Sequence, residues 1–498
     1  MLDFESFLKD YKEKLSSIFE KEKETNNYSL SRGISESTLR TILDFHPLAA
    51  FIPSNYGGFG GNTAEALSML EASSYESLPL SLMMGINGAL FLQPIANYGS
   101  EDLKEEVYYR VINNNKMGGL MITEPDYGSE ALKMQTGYTY DESTNTYSIK
   151  GLKHWAGLTG MADYWLMTAR ELKDGELGRD ISFFVHDTQN GGIEVEEYYN
   201  NLGLYMLPYG RNRVNIKVPD SHKLEPKATG ITMMLDLLHR SRLQFPGMAM
   251  GFLKRMMDEA IDHCKNRMVG GTNLLSYDQV RDRLSKLQSY FTVCSAMCSF
   301  TGSNVPLSKN TAKMDVEANA IKTVVTDYMQ KASQSLLQLT GAKGYRLDHI
   351  AGRSTVDSRP FQIFEGSNDI LYQQISESVL KMMRRFKSTN LYEFLNQYKL
   401  TIKSSDYFKD HLNFELDPKM PQRKLVQLGQ ALGRMISMEF TLDLSERGFN
   451  KELIDNALLN LQEEIQNLLV TYRTGFNAEV VENYQNNSSW FNQLSLEA

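Results

Sequence analysis

The period of the hydrophobic residues changes twice along this 498-residue chain, and the two changes limit the folds that it can adopt. From residue 1 to about 118 the apolar residues recur at spacings of three and four, which is typical of helices. Near Met121 the pattern becomes short runs rich in tyrosine, isoleucine, valine and threonine, separated by polar turns, which indicates strands. From Thr229 the helical period returns and holds to about 388. This order predicts an α+β chain in which helices flank a β unit.

We expect four consecutive parts. They are an N-terminal helical domain (1–118), a middle antiparallel β domain (119–226), a C-terminal four-helix-bundle domain (227–388) and an extra helical tail (389–498). In the tail, amphipathic helices are predicted near 423–440 and 451–470. Their apolar stripes are too broad to be left in water, so the tail must pack on the main body, on itself or on another subunit.

Composition excludes several classes of function. A net charge of −9 argues against a surface that binds nucleic acid irrespective of sequence. The segment 391–498 holds 10 Lys and Arg against 15 Asp and Glu, which argues against a basic DNA-binding tail. The three cysteines make no disulfide framework and no metal-binding pattern. We therefore predict a cytoplasmic protein that uses no metal.

One uncharged run, which begins at Leu78, is long enough to be considered as a membrane span. It contains two prolines, two asparagines, a glutamine and several glycines, so a buried helix pair is the better prediction. The N-terminus is amphipathic and contains acidic residues, unlike a signal or transit peptide. We expect no stable insertion into a membrane.

Four short motifs carry the functional information. They are FIPSNYGGFGG (51–61), MITEPDYGSE (121–130), LQLTGAKGY (337–345) and IFEGSNDI (363–370). Each is weak alone, but their order and spacing resemble the acyl-CoA dehydrogenase family over about residues 30–385. The resemblance implies an FAD enzyme that oxidises acyl-CoA, or another acyl thioester, to the trans-2-enoyl product in fatty acid metabolism. It also implies a homo-oligomer that passes its electrons to an electron-transfer flavoprotein.

The resemblance places the catalytic base at Glu365, and the local sequence suits that role. The apolar pair Ile363 and Phe364 favours a raised carboxyl pKa, which a base for a weak carbon acid needs. Gly366 lets the backbone approach a substrate closely, and a helix that starts near Ser367 adds positive potential.

Two further residues of the acyl site come from the resemblance. Ser241 occupies the position where a minority branch of the family carries its base. Since serine cannot serve as that base, Glu365 is expected to do so. Arg242 matches a family arginine beside the active site, and the substrate-contacting set becomes Ser129, Ser241, Arg242 and Gly366.

The resemblance also implies which residues contact FAD. Hydroxyl donors such as those of Thr123 and Ser129 suit the polar edge of an oxidised flavin. Trp155 would place its ring against the flavin, and Gly157 stands where the family usually has threonine. The predicted cofactor-binding set is Met121, Thr123, Ser129, Trp155, Gly157, Arg267, Gln338, Gly341, Ser367 and Asp369.

Three residues of that set, Arg267, Gln338 and Gly341, match family positions that reach the FAD of a neighbouring subunit. Because longer members with a helical extension tend to be dimers, we expect a dimer rather than a tetramer. Two other functions stay open: a flavin monooxygenase on the same fold, and a dehydrogenase that acts on a carrier-protein-bound acyl group. A monooxygenase need not keep the carboxylate base.

Overall fold

The predicted order of helices, β unit, helices and helical tail is confirmed. The structure is a computed structural model that describes residues 3–25, 35–60, 62–128, 130–417, 419–474 and 478–494, without the side chains of 21–25 and 131.

The N-terminal part is helical, as predicted. Its helices are α1 (Phe4–Thr25), α2 (Glu36–Leu43), α3 (Thr63–Glu76), α4 (Leu78–Asn87), α5 (Gln93–Tyr98) and α6 (Glu101–Asn114). Helix α1 buries Phe7, Tyr11, Leu15 and Phe19, which recur at helical spacing along one face. Helix α3 begins after Asn62, whose side chain accepts a hydrogen bond from the Ala64 amide, as an N-cap residue does.

The uncharged run forms one helical stretch rather than the predicted helix pair. Helices α4 and α5 are joined by a π-helical turn, Gly88–Leu92, and Leu78–Tyr98 counts as one helix long enough to span a membrane. Its most apolar window has a mean hydropathy of 1.4 and is entirely buried, as is common for core helices of soluble proteins. Gln93 bonds Gln244 at 2.7 Å, which ties the run to the long helix that follows the sheet.

The middle part is a nine-stranded sheet within the described residues. Its strands are β1 (Gly118–Met121), β2 (Gly137–Asp141), β3 (Thr146–Gly157), β4 (Tyr164–Lys173), β5 (Glu176–Leu177), β6 (Ser182–Asp187), β7 (Ile193–Tyr198), β8 (Tyr209–Pro219) and β9 (Lys223–Leu224). Most pairs are antiparallel, as predicted, but β1 and β2 both run parallel to β4. Neither is joined to β4 by a tight hairpin, so the antiparallel direction is not imposed on them.

The third part contains five helices and a small hairpin. They are α7 (Gly230–Asn266), β10 (Met268–Val269), β11 (Thr272–Asn273), α8 (Asp278–Asn304), α9 (Asp315–Thr340), α10 (Ile350–Ser358) and α11 (Asn368–Phe386). Pro246 lies inside α7 and does not end it. Helix α7 packs on α3, α8 and α9, and α11 packs on α9. The β sheet and this bundle carry the two halves of the candidate site.

The tail folds onto the third part of the chain. It comprises α12 (Leu391–Leu395), α13 (Lys409–Leu412), α14 (Gln422–Glu446) and α15 (Lys451–Thr474). Helix α14 packs on α8, α9, α11 and α15, and α15 packs on α8. At Gly429 an added Cβ would lie 1.9 Å from the carbonyl oxygen of Tyr372, so α14 touches the backbone of α11. The apolar faces of the tail helices were predicted to pack on the main body, on each other or on another subunit. In the structure they pack on the main body and on each other.

Removal of the tail from Asn390 onward is expected to cause larger assemblies or aggregation. The deletion exposes the apolar surfaces of α8, α9 and α11 that α14 and α15 cover. Size-exclusion chromatography with light scattering measures the outcome. Truncation after Thr474 is the matched control, because residues 478–494 are exposed and their loss uncovers nothing. A deletion variant with the mass distribution of the full chain would contradict the expectation.

Candidate active site

The loop that carries Glu365 has a left-handed backbone. This Glu365 loop, residues 363–367, joins a short 3₁₀ turn to α11, with φ of 53° at Glu365 and 92° at Gly366. A Cβ at Gly366 would lie 2.9 Å from Leu371 Cδ2, so glycine is needed for space as well as for conformation. A non-glycine residue at positive φ is uncommon, and such residues cluster at functional sites.

Side chains from two helices hold this loop. Ser241 Oγ donates to Glu365 Oε1 at 2.9 Å, and Arg242 Nε donates to the Glu365 carbonyl at 3.0 Å. From α9, Lys322 Nζ donates to the Gly366 carbonyl at 2.9 Å. Glu365 Oε2 is buried and has no hydrogen-bond partner among the residues that the structure describes. One carboxylate oxygen is thus held in place, and the other is left to act as an acceptor.

The charge of Glu365 is set by opposing effects. Burial raises the pKa of its carboxyl group above the ordinary value, and this outweighs Arg242, the Ser241 hydroxyl and Lys322, which all act to lower it. Burial also lowers the pKa of Lys322 to about 7, against the attraction of Glu365. Lys322 is missing from the sequence-based site because its only sequence signal is a lysine inside an apolar helix face.

Of Ile363 and Phe364, the two apolar neighbours predicted to surround Glu365, only Phe364 is packed among other apolar side chains. Phe364 packs against Phe245 and Phe361, with ring centroids 6.1 and 4.9 Å apart respectively. Ile363 is 56% exposed and contributes little to the burial of the carboxylate. Helix α11 begins at Asn368 with Ser367 as its N-cap residue, as predicted.

On the sheet, the motif at 121–130 meets the strand that carries Trp155. The amide of His154 donates to the Thr123 carbonyl at 2.8 Å, next to an irregularity in the pairing of β3 with β8. Trp155 has φ of 55° and is 53% exposed, with its ring 4.5 Å from that of Tyr199. An ordinary buried strand aromatic would have neither property. The open face of this ring fits stacking against a flat cofactor.

The structure explains why Gly157 replaces the usual threonine. A Cβ at Gly157 would lie 2.9 Å from Ile86 Cδ1 and 3.3 Å from Tyr209 Cε1, so no side chain fits there without movement. Thr159, two residues further on, is fully buried, and its hydroxyl donates to the Ala156 carbonyl at 2.7 Å.

A buried ion pair, also missed from the sequence, fixes these two segments to each other. Lys153 and Glu124 are 0% and 4% exposed in their side chains, and Nζ lies 3.0 Å from Oε1. Lys153 Nζ also donates to the Ile122 carbonyl at 3.2 Å. Burial lowers the pKa of Lys153 to about 8, although Glu124 opposes that shift. The pair therefore clamps residues 122–124 onto β3, two residues from Trp155.

Tyr209 lies beside Trp155 and is affected by the charge of Glu365. The Tyr209 ring centroid lies 6.3 Å from that of Trp155, and the pKa of its hydroxyl is raised by burial and then by the charge of Glu365. Among the remaining predicted residues, Met121 is buried at the end of β1 and Asp369 is exposed on the first turn of α11. Ser129 lies outside the described residues.

Arg267, Gln338 and Gly341 do not join this site within one chain. They are exposed at the C-terminal ends of α7 and α9. Arg267 follows Arg242 by 25 positions in α7, which is about 37 Å of helix. Arg267 therefore lies far from Glu365 of its own chain.

Family models of the N-terminal, middle and C-terminal domains of acyl-CoA dehydrogenases match residues 12–115, 119–215 and 228–380. The very long-chain specific acyl-CoA dehydrogenase of rat mitochondria (Rattus norvegicus) is 24% identical over 371 residues, 73% of this chain and 56% of its own length. An acyl-CoA dehydrogenase of Bacillus subtilis is 24% identical over 66% of this chain and 86% of its own length. The match thus spans little more than half of the first relative.

Solved structures show the same fold. An acyl-CoA dehydrogenase complexed with FAD from Bacillus anthracis superposes with a TM-score of 0.76 at 16% identity, over 96% of this chain and 89% of its own. Butyryl-CoA dehydrogenase from Megasphaera elsdenii gives 0.67 at 20% identity, over 76% and 98%.

The chain belongs to the acyl-CoA dehydrogenase family, whose members are FAD-dependent oxidoreductases. The sequence-based prediction of this family and of FAD as its cofactor is confirmed. The exposed ring of Trp155 and the buried carboxylate of Glu365 are the kinds of group that fit a flat redox cofactor and its substrate.

Replacement of Lys153 by methionine is expected to destabilise the protein by about 3–5 kcal/mol, because it leaves the Glu124 carboxylate buried without its cation. The double variant Lys153→Met, Glu124→Gln should recover part of this loss, since no uncompensated charge remains. Urea unfolding of the two single variants and the double variant measures the coupling. Purely additive losses would show that the two side chains do not act as a pair.

Proposed function

We propose that this chain oxidises an acyl thioester, acyl-CoA to trans-2-enoyl-CoA, with Glu365 as the general base. The observation that carries the proposal is the carboxylate itself: Oε1 is held by Ser241, and Oε2 is buried without a hydrogen-bond partner in the described part of the chain. A base with a raised pKa and one free oxygen suits the removal of a weakly acidic proton.

In the proposed reaction Glu365 Oε2 takes the proton from the carbon next to the thioester carbonyl. Ser241 and Arg242 keep the carboxylate and its backbone in register while that proton moves. The developing negative charge on the carbonyl oxygen is stabilised by the backbone N–H of Glu365 and by the N-terminus of α11. When bound beside Trp155, FAD would supply the redox chemistry, as the acceptor of the β-hydrogen as hydride.

Other residues of the chain are proposed to hold the cofactor and the substrate. The open face of Trp155 and the segment of Met121 and Thr123 would lie along the flavin, with Gly157 giving it room. Ser367 and Asp369 would contact it from α11. Ser129 and Gly366 would complete the thioester end of the pocket.

Retention of the carboxylate favours dehydrogenation over the flavin monooxygenase alternative, which has no need of a buried base at this position. A carrier-protein-bound acyl group is compatible with the same residues.

We propose an electron-transfer flavoprotein as the electron acceptor and the cytoplasm as the location of the protein. We also propose that the domain boundaries lie at 118, 226 and 388.

We also propose a homodimer in which Arg267, Gln338 and Gly341 of one subunit reach the FAD of the other. Support comes from their exposure and from the length of α7, which keeps Arg267 far from Glu365 of its own chain. The tail covers α8 and α11, so those surfaces are closed to further subunits.

Glu365→Gln is expected to keep bound, yellow FAD but to lose flavin reduction by about 10²–10⁴-fold or more, since the amide cannot accept a proton. The measurement is the rate of flavin bleaching in a stopped-flow instrument across a series of acyl-CoA chain lengths. In the wild type the rate should fall as pH drops through the raised pKa of Glu365, because only the carboxylate is a base. Reduction of the variant at the wild-type rate would exclude Glu365 as the base.

Ser241→Ala is the matched control for this substitution. It removes a hydrogen bond that stabilises the charged carboxylate, so the Glu365 pKa should rise further. The acidic limb of the pH–rate profile should therefore move to higher pH, while the rate at high pH stays within the same order of magnitude as in the wild type.

The dimer should be visible by light scattering of the flavin-loaded full chain, with the mass of two chains. Arg267→Ala should weaken flavin retention without changing the local structure around Glu365, because the arginine lies at the far end of α7. A monomer that holds a full complement of FAD would contradict the shared site. A stable tetramer would contradict only the role of the tail in limiting assembly.

A further inference from the structure

A buried network of charges joins the tail to the Glu365 loop. Arg434 of α14 is 5% exposed, and its Nη2 donates to Asp327 Oδ2 of α9 at 2.6 Å. The hydroxyl of Tyr372, on α11, donates to the same oxygen at 2.6 Å. Arg434 is the tail's direct contact with this carboxylate, which otherwise has no cation beside it in the hydrogen bonds of the described residues.

The other oxygen of Asp327 continues the network toward the active site. Asn368 Nδ2 donates to Asp327 Oδ1 at 2.8 Å, and the Asn368 Oδ1 atom accepts from Lys322 Nζ at 2.9 Å. Lys322 Nζ in turn donates to the Gly366 carbonyl at 2.9 Å. Four hydrogen bonds therefore connect a tail side chain to the carbonyl of Gly366, the residue after Glu365.

The connection is electrostatic as well as geometric, because the charge of Asp327 depends on Arg434. Burial acts to raise the pKa of Asp327, but Arg434 and the Tyr372 hydroxyl outweigh it and hold that pKa below the ordinary value. Without Arg434, the carboxylate would stay ionised without its cation or take up a proton. A protonated Asp327 would compete as a donor, and Asn368 would lose a strong acceptor.

We propose that Arg434 is a positioning residue for the Glu365 loop, acting through Asp327 and Asn368. The tail is then part of the support of the active site and not only a cover for the bundle. The expected effect on the reaction rate rests on the proposed role of Glu365. The expected effect on the rigidity of residues 363–372 does not, and it can be measured independently.

Arg434 has a natural comparison in the same network. Lys331 binds Glu464 of α15 at 2.6 Å, so it also joins the main body to the tail. It makes no ion pair with Asp327, and its side chain is 43% exposed. Glu464 also lies 3.7 Å from Arg434 Nε, but loss of Lys331 removes none of the four hydrogen bonds on the path to Gly366.

The experiment compares Arg434→Met, Arg434→Lys and Lys331→Met in the flavin-loaded full chain. Two quantities are measured: hydrogen exchange of the segment 363–372 by mass spectrometry, and the rate of flavin reduction by acyl-CoA per bound FAD. Arg434→Met should speed exchange and slow reduction by about tenfold each. Arg434→Lys should restore much of the wild-type exchange rate and of the wild-type reduction rate. Lys331→Met should match the wild type in both rates.

Equal effects of Arg434→Met and Lys331→Met, or wild-type exchange and reduction in Arg434→Met, would overturn the proposal. If Arg434→Met does not fold, Asn368→Ala decides, because it keeps the ion pair and cuts the path. Normal exchange and reduction in Asn368→Ala would also overturn it. A wild-type protein that no acyl-CoA reduces would contradict the proposed function, while the exchange data would still test the role of Arg434.

Discussion

Two buried cations hold a left-handed turn in place, and the geometry of the candidate site depends on them. Arg242 and Lys322 donate to the carbonyls of Glu365 and Gly366, so they bind the backbone and leave the carboxylate oxygens to other partners. A direct ion pair with either cation would neutralise the base. Because the two side chains contact the peptide instead, they fix the position of Glu365 and leave its carboxylate able to act as a base.

The same device recurs on the sheet, where Lys153 donates to the Ile122 carbonyl as well as to Glu124. In both halves a buried lysine fixes a backbone segment rather than a ligand. Such groups cost free energy to bury, and they are retained where a unique arrangement is needed. The site thus consists of two backbone segments, and a buried lysine holds each of them in place.

The sequence predicted the elements whose signals are local. The helix start after Ser367 follows from the residue types common at N-caps and is confirmed, although the Ser367 side chain makes no capping hydrogen bond. The ion pairs were missed, because Glu124 meets Lys153 across 29 positions and Asp327 meets Arg434 across 107. Nothing local in a sequence marks such partners. The parallel pairing of β1 and β2 with β4 was missed for the same reason, since long connections leave strand direction open.

The buried run Leu78–Tyr98 has a consequence for synthesis of the protein. One of its main covers is α7, which begins at Gly230, about 130 residues later in the chain. At ~5–20 residues per second, a ribosome needs roughly 6–26 s to make that length. During this time the run Leu78–Tyr98 has already been synthesised, but one of the helices that enclose it has not. A nascent chain of this design depends on shielding by chaperones or by its own earlier helix α3, which packs on α4, before the enzyme fold can close.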